Sequence, residues 1–267
     1  MADVFIVFGS ASDEPVFRPL LEQLKKTGIS YEFKVLSAHK TPKELEFEIN
    51  NTNASIFIAG AGLSAALPGV IASKRLNPVI GLPCDAAFSG LDSYISALQM
   101  PPDVPVITVG VGKTSEAVRL CSNYLHGFKQ IALVVKKTGE EKKYSEKCKS
   151  FMEENKIPFI FAKNSKKHDY SRVFIEFVKV GKKVPKTQNI TIIVPVKEGS
   201  KKQDSLKVFD MLQGSYAVGL NNHKNAALAA LELLNLSGTH SGLLSAMRQT
   251  AAKKINDVTP SRPSAEA

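Results

Sequence analysis

Two short polar segments carry the residue types that bind an anion and move a proton. They are Gly9-Ser10-Ala11-Ser12-Asp13 and Ser37-Ala38-His39-Lys40-Thr41-Pro42. Serine hydroxyls and backbone N–H groups at the start of a helix suit a phosphate, and Lys40 can pair with one. The imidazole of His39 can act as an acid or a base near neutral pH. Each segment also has an ordinary explanation, because Ser12 or Asp13 can cap a helix and a single loop histidine can be plain surface.

A third segment, residues 59–69, consists almost wholly of small side chains and includes Gly60-Ala61-Gly62-Leu63. Small residues let the backbone approach a ligand closely and offer it N–H donors, but they equally permit tight packing of a strand on a helix. A fourth segment, Gly90-Leu91-Asp92-Ser93, is expected to cap a helix through Asp92. If these segments converge, they form a nucleotide-sized pocket that contains one histidine.

The elements that must position these segments are predicted from apolar runs and helical periodicity. Val4–Phe8 and the ranges 31–36, 54–59, 78–83 and 104–109 are expected to be strands, with helices between them. Continuous apolar runs indicate strands buried on both faces, as in a parallel sheet, and ligands bind outside the carboxyl ends of such strands. The sequence therefore predicts an α/β fold with a doubly wound parallel sheet, a flavodoxin-like three-layer sandwich.

The second half of the chain repeats this order of elements in a shorter form. The run at positions 5–8 aligns with that at 132–135, and the run at 80–83 aligns with that at 192–195. We therefore predict a tandem repeat, with one domain over residues 1–126 and a second copy over residues 127–267 that lacks one strand–helix unit. Chance similarity of two α/β halves is the alternative.

Composition limits the class of protein and its partners. No apolar run approaches the roughly 20 residues that span a bilayer. Three widely spaced cysteines, Cys84, Cys121 and Cys148, indicate neither a disulfide framework nor a zinc site and fit a reducing cytoplasm. The net charge of +10 suggests a nucleic-acid partner, but residues 1–122 carry −2 and residues 123–267 carry +12. The lysines of the second half lack interleaved aromatic residues, so we expect no nucleic-acid and no membrane partner and a cytoplasmic location.

Taken in order, these segments resemble the phosphoribosylaminoimidazole carboxylase family of purine biosynthesis, which includes the carboxyaminoimidazole ribonucleotide mutases. The resemblance covers nearly all of residues 4–112 and includes Gln99-Met100-Pro101. Members of this family place a carboxyl group on carbon 4 of an aminoimidazole ribonucleotide and need no metal or organic cofactor. Some members use carbon dioxide directly, whereas the mutases move the group from the exocyclic nitrogen.

The resemblance implies a role for each segment. The catalytic residues would be His39, which shuttles the proton, and Ser37. The residues that bind the nucleotide and enclose carbon dioxide would be Ser10, Ser12, Asp13, Ala38, Lys40, Gly60, Ala61, Gly62 and Leu63. The apolar enclosure would exclude water from an unstable carboxylate.

Two positions favour direct carboxylation over the mutase reaction. Many mutases have arginine where Lys40 stands and histidine where Ala66 stands, although residues 90–93 and 99–101 resemble the mutases. Direct carboxylation is therefore our main prediction and the mutase reaction is the alternative. A related carboxylase that acts on another nucleotide, such as nicotinate adenine dinucleotide, and a non-catalytic nucleotide-binding or regulatory protein also remain open.

The second copy is expected to be non-catalytic, because Lys136 and Lys137 replace Gly9 and Ser10. Members of the family assemble as octamers of single domains. The resemblance therefore implies a homo-oligomer in which four two-repeat chains take the place of eight subunits.

Overall fold

The computed structural model describes residues 2–63, 65–199 and 201–257. Strands and helices alternate in the first half, whereas the second half also contains consecutive strands. The strands of the first half are β1 (Val4–Phe8), β2 (Tyr31–Val35), β3 (Ile56–Ala61), β4 (Val79–Pro83) and β5 (Ile107–Thr108). Its helices are α1 (Glu14–Thr27), α2 (Pro42–Asn51), α3 (Leu67–Lys74), α4 (Leu91–Leu98) and α5 (Thr114–His126). The strands of the second half are β6 (Gln130–Val134), β7 (Ile160–Ala162), β8 (Arg172–Lys179), β9 (Ile190–Val196) and β10 (Tyr216–Ala217). Its helices are α6 (Gly139–Glu154), α7 (Lys202–Leu212), α8 (His223–Leu234) and α9 (Ser241–Asn256).

All of these strands form one sheet in the order β2-β1-β3-β4-β5-β10-β9-β8-β6-β7. Neighbouring strands are parallel except at the centre, where β5 and β10 are antiparallel and pair Thr108 with Ala217. Helices cover both faces, with α1 and α5 on one side and α2 and α3 on the other. The predicted doubly wound α/β fold is confirmed. Because the strands of the two halves run in opposite directions, their carboxyl ends lie at opposite edges of the sheet.

The two halves share both strand order and register. Ile80 of β4 pairs with Ile107 of β5, and Ile192, which aligns with Ile80 in the sequence, pairs with Tyr216 of β10. In the first half, the residue of β3 that pairs with Ile80 also pairs with Ile6 of β1. In the second half, the residue of β8 that pairs with Ile192 also pairs with Leu133 of β6, which aligns with Ile6. Both alignments inferred from the sequence therefore relate equivalent positions of the sheet.

The prediction that the second half lacks a strand is wrong. β8 lies beside β6 as β3 lies beside β1, and the charged Glu176 inside it obscured its apolar pattern. Helices corresponding to α2 and α3 are missing from the described residues of this half. In their place are the segments 163–171 and 180–189, which are tied together because Asn189 Nδ2 donates to the carbonyl oxygens of Ser165 and Lys167, at 2.7 Å each.

Burial is complete in β1, where all five residues are inaccessible to solvent. Among the described residues, no helix is both long enough and apolar enough to cross a membrane. Cys84, Cys121 and Cys148 are free thiols and all three are buried.

Candidate active site

A cleft of about 470 Å³ opens at the carboxyl ends of the first four strands. We call it the first cleft. The predicted site residues that line it are Ser10, Ser12, Asp13, Ser37, Ala38, His39, Lys40, Ala61, Gly62 and Leu63. Gly9, Ala66, Leu67, Asp85 and Ala86 complete the lining. Four loops that are far apart in the sequence thus meet at one edge of the sheet.

The loop after β1 presents two hydroxyls at the start of α1. The N–H of Gly9 donates to the carbonyl of Gly60 at 3.0 Å, which ties the end of β1 to β3. The Oγ atoms of Ser10 and Ser12 are 2.7 Å apart, and Ser10 Oγ also accepts the N–H of Ser12 at 3.2 Å. Ser10 therefore caps the short 3-10 turn before α1, and both exposed hydroxyls can still contact an anion.

Asp13 is the buried carboxyl group of the first cleft. Its side chain is 9% exposed, and Oδ2 has no hydrogen-bond partner among the described residues. Burial raises the pKa of Asp13, and this effect outweighs the opposing contacts with the Ser10 backbone and the Cys84 thiol. An unpaired carboxyl oxygen in a cleft suits a ligand that brings its own hydrogen-bond donors, such as a sugar diol.

The loop after β2 is organised around Ser37. Its Oγ accepts the N–H groups of His39 at 3.3 Å and of Lys40 at 3.2 Å, and its own N–H donates to Thr41 Oγ1 at 2.8 Å. The side chains of His39 and Lys40 are exposed and make no hydrogen bond or ion pair with the described part of the chain. One imidazole and one ammonium are therefore available to a ligand.

Gly60, near the end of β3, and Gly62, just after it, have different roles. Gly60 is buried and does not line the first cleft, which corrects its predicted contact with substrate. A Cβ at Gly60 would lie 2.5 Å from Cζ of Phe8 and nearer still to Cδ1 and Cε1, so this glycine serves packing. A Cβ at Gly62 would lie 3.2 Å from Ala86 and 3.7 Å from Asp13 Oδ1, inside the cleft. Ser64 lies outside the described residues.

Sequence reasoning missed the contribution of Asp85 and Ala86. Both are exposed and directly follow Cys84, whose N–H donates to the carbonyl of Ala61 at 2.9 Å. The predicted cap at Asp92 is wrong, because Gly90 is the N-cap of α4. Ser93 is buried and donates to the carbonyl of Cys84 at 2.7 Å. The sequence signal that could have identified Asp85 is its position just after a predicted strand, because it is the first exposed residue after β4.

The corresponding edge of the second half is filled by its own side chains. Ser165 is the counterpart of Ser37. Phe161 of β7 and Phe33 of β2 occupy equivalent register positions, and each serine follows its phenylalanine by the same number of residues. Ser165 is buried and donates to Oε2 of Glu176 at 2.7 Å, while the ammonium of Lys136 lies 2.6 Å from Oε1. Lys136 aligns with Gly9, so an internal ion pair occupies the place where the first half has an open loop.

The Glu176→Gln variant is expected to lower the free energy of unfolding by about 1–3 kcal/mol. It replaces a carboxylate that is 1% exposed, and the Lys136 ammonium, which is 34% exposed, then loses its ion-pair partner. The matched control is Glu198→Gln, whose carboxylate is 79% exposed and 3.8 Å from Lys143. Its effect should stay below about 0.5 kcal/mol. Urea unfolding measures both, and equal effects would contradict a stabilising role for the buried pair.

Hydroxyls, a free ammonium, a buried carboxyl and an imidazole meet beside small apolar residues at the carboxyl edge of a parallel sheet. This arrangement is typical of α/β enzymes that bind nucleotides at such an edge. The family model described as AIR carboxylase matches residues 3–147. The chain therefore belongs to the AIR carboxylase family, which acts in purine biosynthesis.

Several curated relatives are similar to the same part of the chain. The N5-carboxyaminoimidazole ribonucleotide mutase of Methanocaldococcus jannaschii is 43% identical over 122 residues, which are 46% of this chain and 78% of the relative. The protein of the same name from Saccharolobus solfataricus is 40% identical over 146 residues, 53% of this chain and 92% of the relative. The crystal structure of Treponema denticola PurE matches 57% of this chain and 90% of its own, with 28% identity and a TM-score of 0.38.

Proposed function

We propose that the chain is an N5-carboxyaminoimidazole ribonucleotide mutase, which moves a carboxyl group from the exocyclic nitrogen of the nucleotide to carbon 4 of its imidazole. The observation that carries this proposal is the shared name of relatives 40–43% identical to the half that contains the first cleft. Direct carboxylation of aminoimidazole ribonucleotide is the second candidate. It is favoured by Lys40 and Ala66, which stand where many mutases have arginine and histidine.

The reaction is an isomerisation, so no atom has to be supplied from outside. The bond between nitrogen and the carboxyl carbon breaks, a new bond forms at carbon 4, and the proton of carbon 4 ends on the nitrogen. In this proposal the protonated imidazole of His39 gives its proton to the nitrogen as the carboxyl group leaves as carbon dioxide. The neutral imidazole then takes the proton of carbon 4 once the new carbon–carbon bond has formed, so one group acts first as acid and then as base. Ser37 fixes the backbone of His39 and thereby positions the ring, which is a supporting role in catalysis.

The remaining lining residues divide the nucleotide between them. The hydroxyls of Ser10 and Ser12, at the N-terminus of the 14-residue α1, and the ammonium of Lys40 suit the phosphate. Asp13 suits the ribose hydroxyls, because a carboxyl group would repel a phosphate but accepts hydrogen bonds from a diol. Ala61, Gly62 and Leu63 offer an apolar wall that would hold released carbon dioxide away from water.

Two parallel assays separate the candidate functions. Purified protein is incubated with aminoimidazole ribonucleotide and bicarbonate, and separately with the N-carboxylated isomer, and the carbon-4 carboxylate is quantified at short times. Product from the isomer supports the mutase. Product from the first mixture alone contradicts it and supports the carboxylase, whereas no product from either contradicts both and favours a non-catalytic binding protein.

We also propose that residues 1–126 are the catalytic domain and residues 127–267 a degenerate second copy. The shared register supports this division, and the Lys136–Glu176 pair fits a copy that no longer binds substrate. In this view one chain has the form of a pseudo-dimer, and four chains would replace an octamer of single domains. Sedimentation velocity tests the assembly, since a stable monomer at native concentration would contradict it.

The Asp13→Asn variant is expected to weaken nucleotide binding about tenfold, because an amide replaces two acceptor oxygens with one. It should also change the pH dependence of stability. The folded-state pKa of Asp13 is raised, so the folded protein binds the proton more tightly. The stability this proton confers is complete below the ordinary aspartate pKa and is lost as the pH rises through the folded-state value.

The free energy of unfolding of Asp13→Asn relative to wild type should therefore increase as the pH rises from about 4 to 7. Urea unfolding at several pH values measures this difference. Asp85→Asn is the matched control, because it removes an exposed carboxyl group from the rim of the same cleft. A difference that is flat with pH for Asp13→Asn would contradict the role of burial.

A further inference from the structure

A second cleft, of about 630 Å³, opens where the two halves of the chain meet. We call it the junction cleft. It lies at the start of α5 and at the amino ends of β9 and β10, on the edge of the sheet that also holds the first cleft. Both volumes fall in the range typical of small-molecule sites. The roles proposed above for the first cleft use no residue of the junction cleft.

Three cations surround the junction cleft without an ion-pair partner among the described residues. They are Arg119, Lys183 and Lys186. Several other lysines of this half are neutralised at short range, as Lys197 is by Asp204 at 2.5 Å. The positive charges at the junction cleft are thus free to meet an anion.

Arg119 is held in place by the floor of the junction cleft. Its Nε donates to the hydroxyl of Tyr216 at 2.9 Å, and that hydroxyl donates to the carbonyl of Glu116 at 3.0 Å. The guanidinium carbon also lies 5.3 Å from the centre of the Tyr216 ring. Nε is the only guanidinium nitrogen that donates a hydrogen bond to the described residues. The two terminal nitrogens therefore keep the geometry that binds a phosphate in bidentate fashion.

The equivalent place on the other side of the β5–β10 pair is closed. The register makes Ile107 of β5 and Tyr216 of β10 equivalent. Arg119 follows Ile107 by the same number of residues as Leu228 follows Tyr216, so Leu228 is the counterpart of Arg119. There, side chains of α9 such as Leu244 and Met247 pack against Leu228 and leave a space of only about 10 Å³.

The chain enters β6 directly after α5, so within the part of the chain that the structure describes no helix equivalent to α9 covers the junction cleft. An apolar helix would have to bury Arg119 there, at a high cost for an unpaired charge. The lining of the junction cleft therefore suits a small polar ligand better than a packed helix.

We propose that the junction cleft binds a nucleoside monophosphate. Arg119, Lys183 and Lys186 would hold the phosphate. The carboxylates of Glu116 and Asp210, which also line the cleft, would accept hydrogen bonds from the ribose hydroxyls. The base would lie on the apolar wall that includes Val184 and Pro185. This division explains why the cleft combines three cations with two carboxylates.

A fluorescent reporter at the rim tests the proposal in the full-length chain. Gln188 is exposed between two lining residues, and the three natural cysteines are buried, so Gln188→Cys can be labelled selectively. AMP, UMP, adenosine and inorganic phosphate are titrated separately. We expect saturable binding of at least one nucleotide, with adenosine and phosphate each weaker by about tenfold or more.

Charge reversal then assigns the response to the junction cleft. Adding Lys183→Glu and Lys186→Glu should weaken nucleotide binding by about tenfold or more. The matched control, Lys163→Glu with Lys166→Glu, makes the same change in charge outside the junction cleft and should stay within about twofold. Lys183→Gln with Lys186→Gln repeats the test if the reversed variant fails to fold. Lys40→Ala, in the first cleft, should leave the reporter response unchanged.

Several results would overturn the proposal. They are no saturable response to either nucleotide, phosphate binding as tight as nucleotide binding, and equal affinities in the cleft variants and their control. Loss of the response in Lys40→Ala would show that the reporter senses the first cleft. None of these outcomes depends on whether the chain has mutase or carboxylase activity.

Discussion

The His39→Asn variant is expected to lose about 10²–10⁴-fold of the carboxyl-transfer rate while it binds the nucleotide as well as wild type does. Among the residues that line the first cleft, His39 carries the imidazole, and its ring makes no hydrogen bond or ion pair with the described residues that would give it a structural role. Asparagine keeps a polar side chain of similar length but cannot exchange a proton near neutral pH. The effect should therefore fall on kcat and leave KM nearly unchanged.

His168→Asn is the matched control for this experiment. His168 is also an exposed loop histidine, and it lies in the segment of the second half that aligns with residues 37–40. Its substitution should leave the rate within about twofold, as expected of a surface position. Full activity in His39→Asn, or equal losses in both variants, would show that the proton moves through another group.

The polar loops of the first cleft were predictable because their signals are local. Each follows an apolar run, and the carboxyl ends of parallel strands meet at one edge of a sheet. Position after a strand does not distinguish a lining residue from a packed one, however. Gly60 and Gly62 are only two residues apart at the end of β3, and the contact between Gly60 and the Phe8 ring distinguishes their roles.

The parts that were not predicted depend on contacts between distant residues. β8 was missed because Glu176, which its neighbours Lys136 and Ser165 satisfy in the folded chain, looks like a surface residue in the sequence. A buried charge is tolerated only when such partners are present. Glu176 is therefore a residue of a usually exposed type that occupies a buried position, because distant residues pair with it in the folded chain.

The junction of the two halves was equally hidden from sequence reasoning. It is built from reciprocal contacts in which Gln99 Oε1 accepts the N–H of Leu220 at 3.3 Å and Gln213 Oε1 accepts the N–H of Val111 at 3.0 Å. Val111 and Leu220 occupy aligned positions, so the same kind of hydrogen bond is made twice across the β5–β10 pair. Such exchange of equivalent contacts is the pattern of an isologous dimer interface, here made within one chain.

The Gly60→Ala variant is expected to lower the free energy of unfolding by about 3 kcal/mol, because the added methyl group would overlap the ring of Phe8. That ring cannot move away easily, since it is fully buried and packs against Phe17 with ring centres 5.4 Å apart. The N–H of Gly9 donates to the carbonyl of Gly60, so a shift of β3 also displaces the loop that carries Ser10. Urea unfolding and the carboxyl-transfer rate should therefore both report the change.

Two further variants separate overlap with Phe8 from a general effect of replacing glycine. Gly242→Ala, in α9, places its methyl group in open space and should raise stability by up to about 1 kcal/mol, because alanine favours the helix. Phe8→Leu combined with Gly60→Ala should cost less than the sum of the two single changes, by about 1–2 kcal/mol, since the smaller side chain makes room for the methyl group. Strict additivity in this double-mutant cycle would mean that Gly60 is required for its backbone and not for its contact with Phe8.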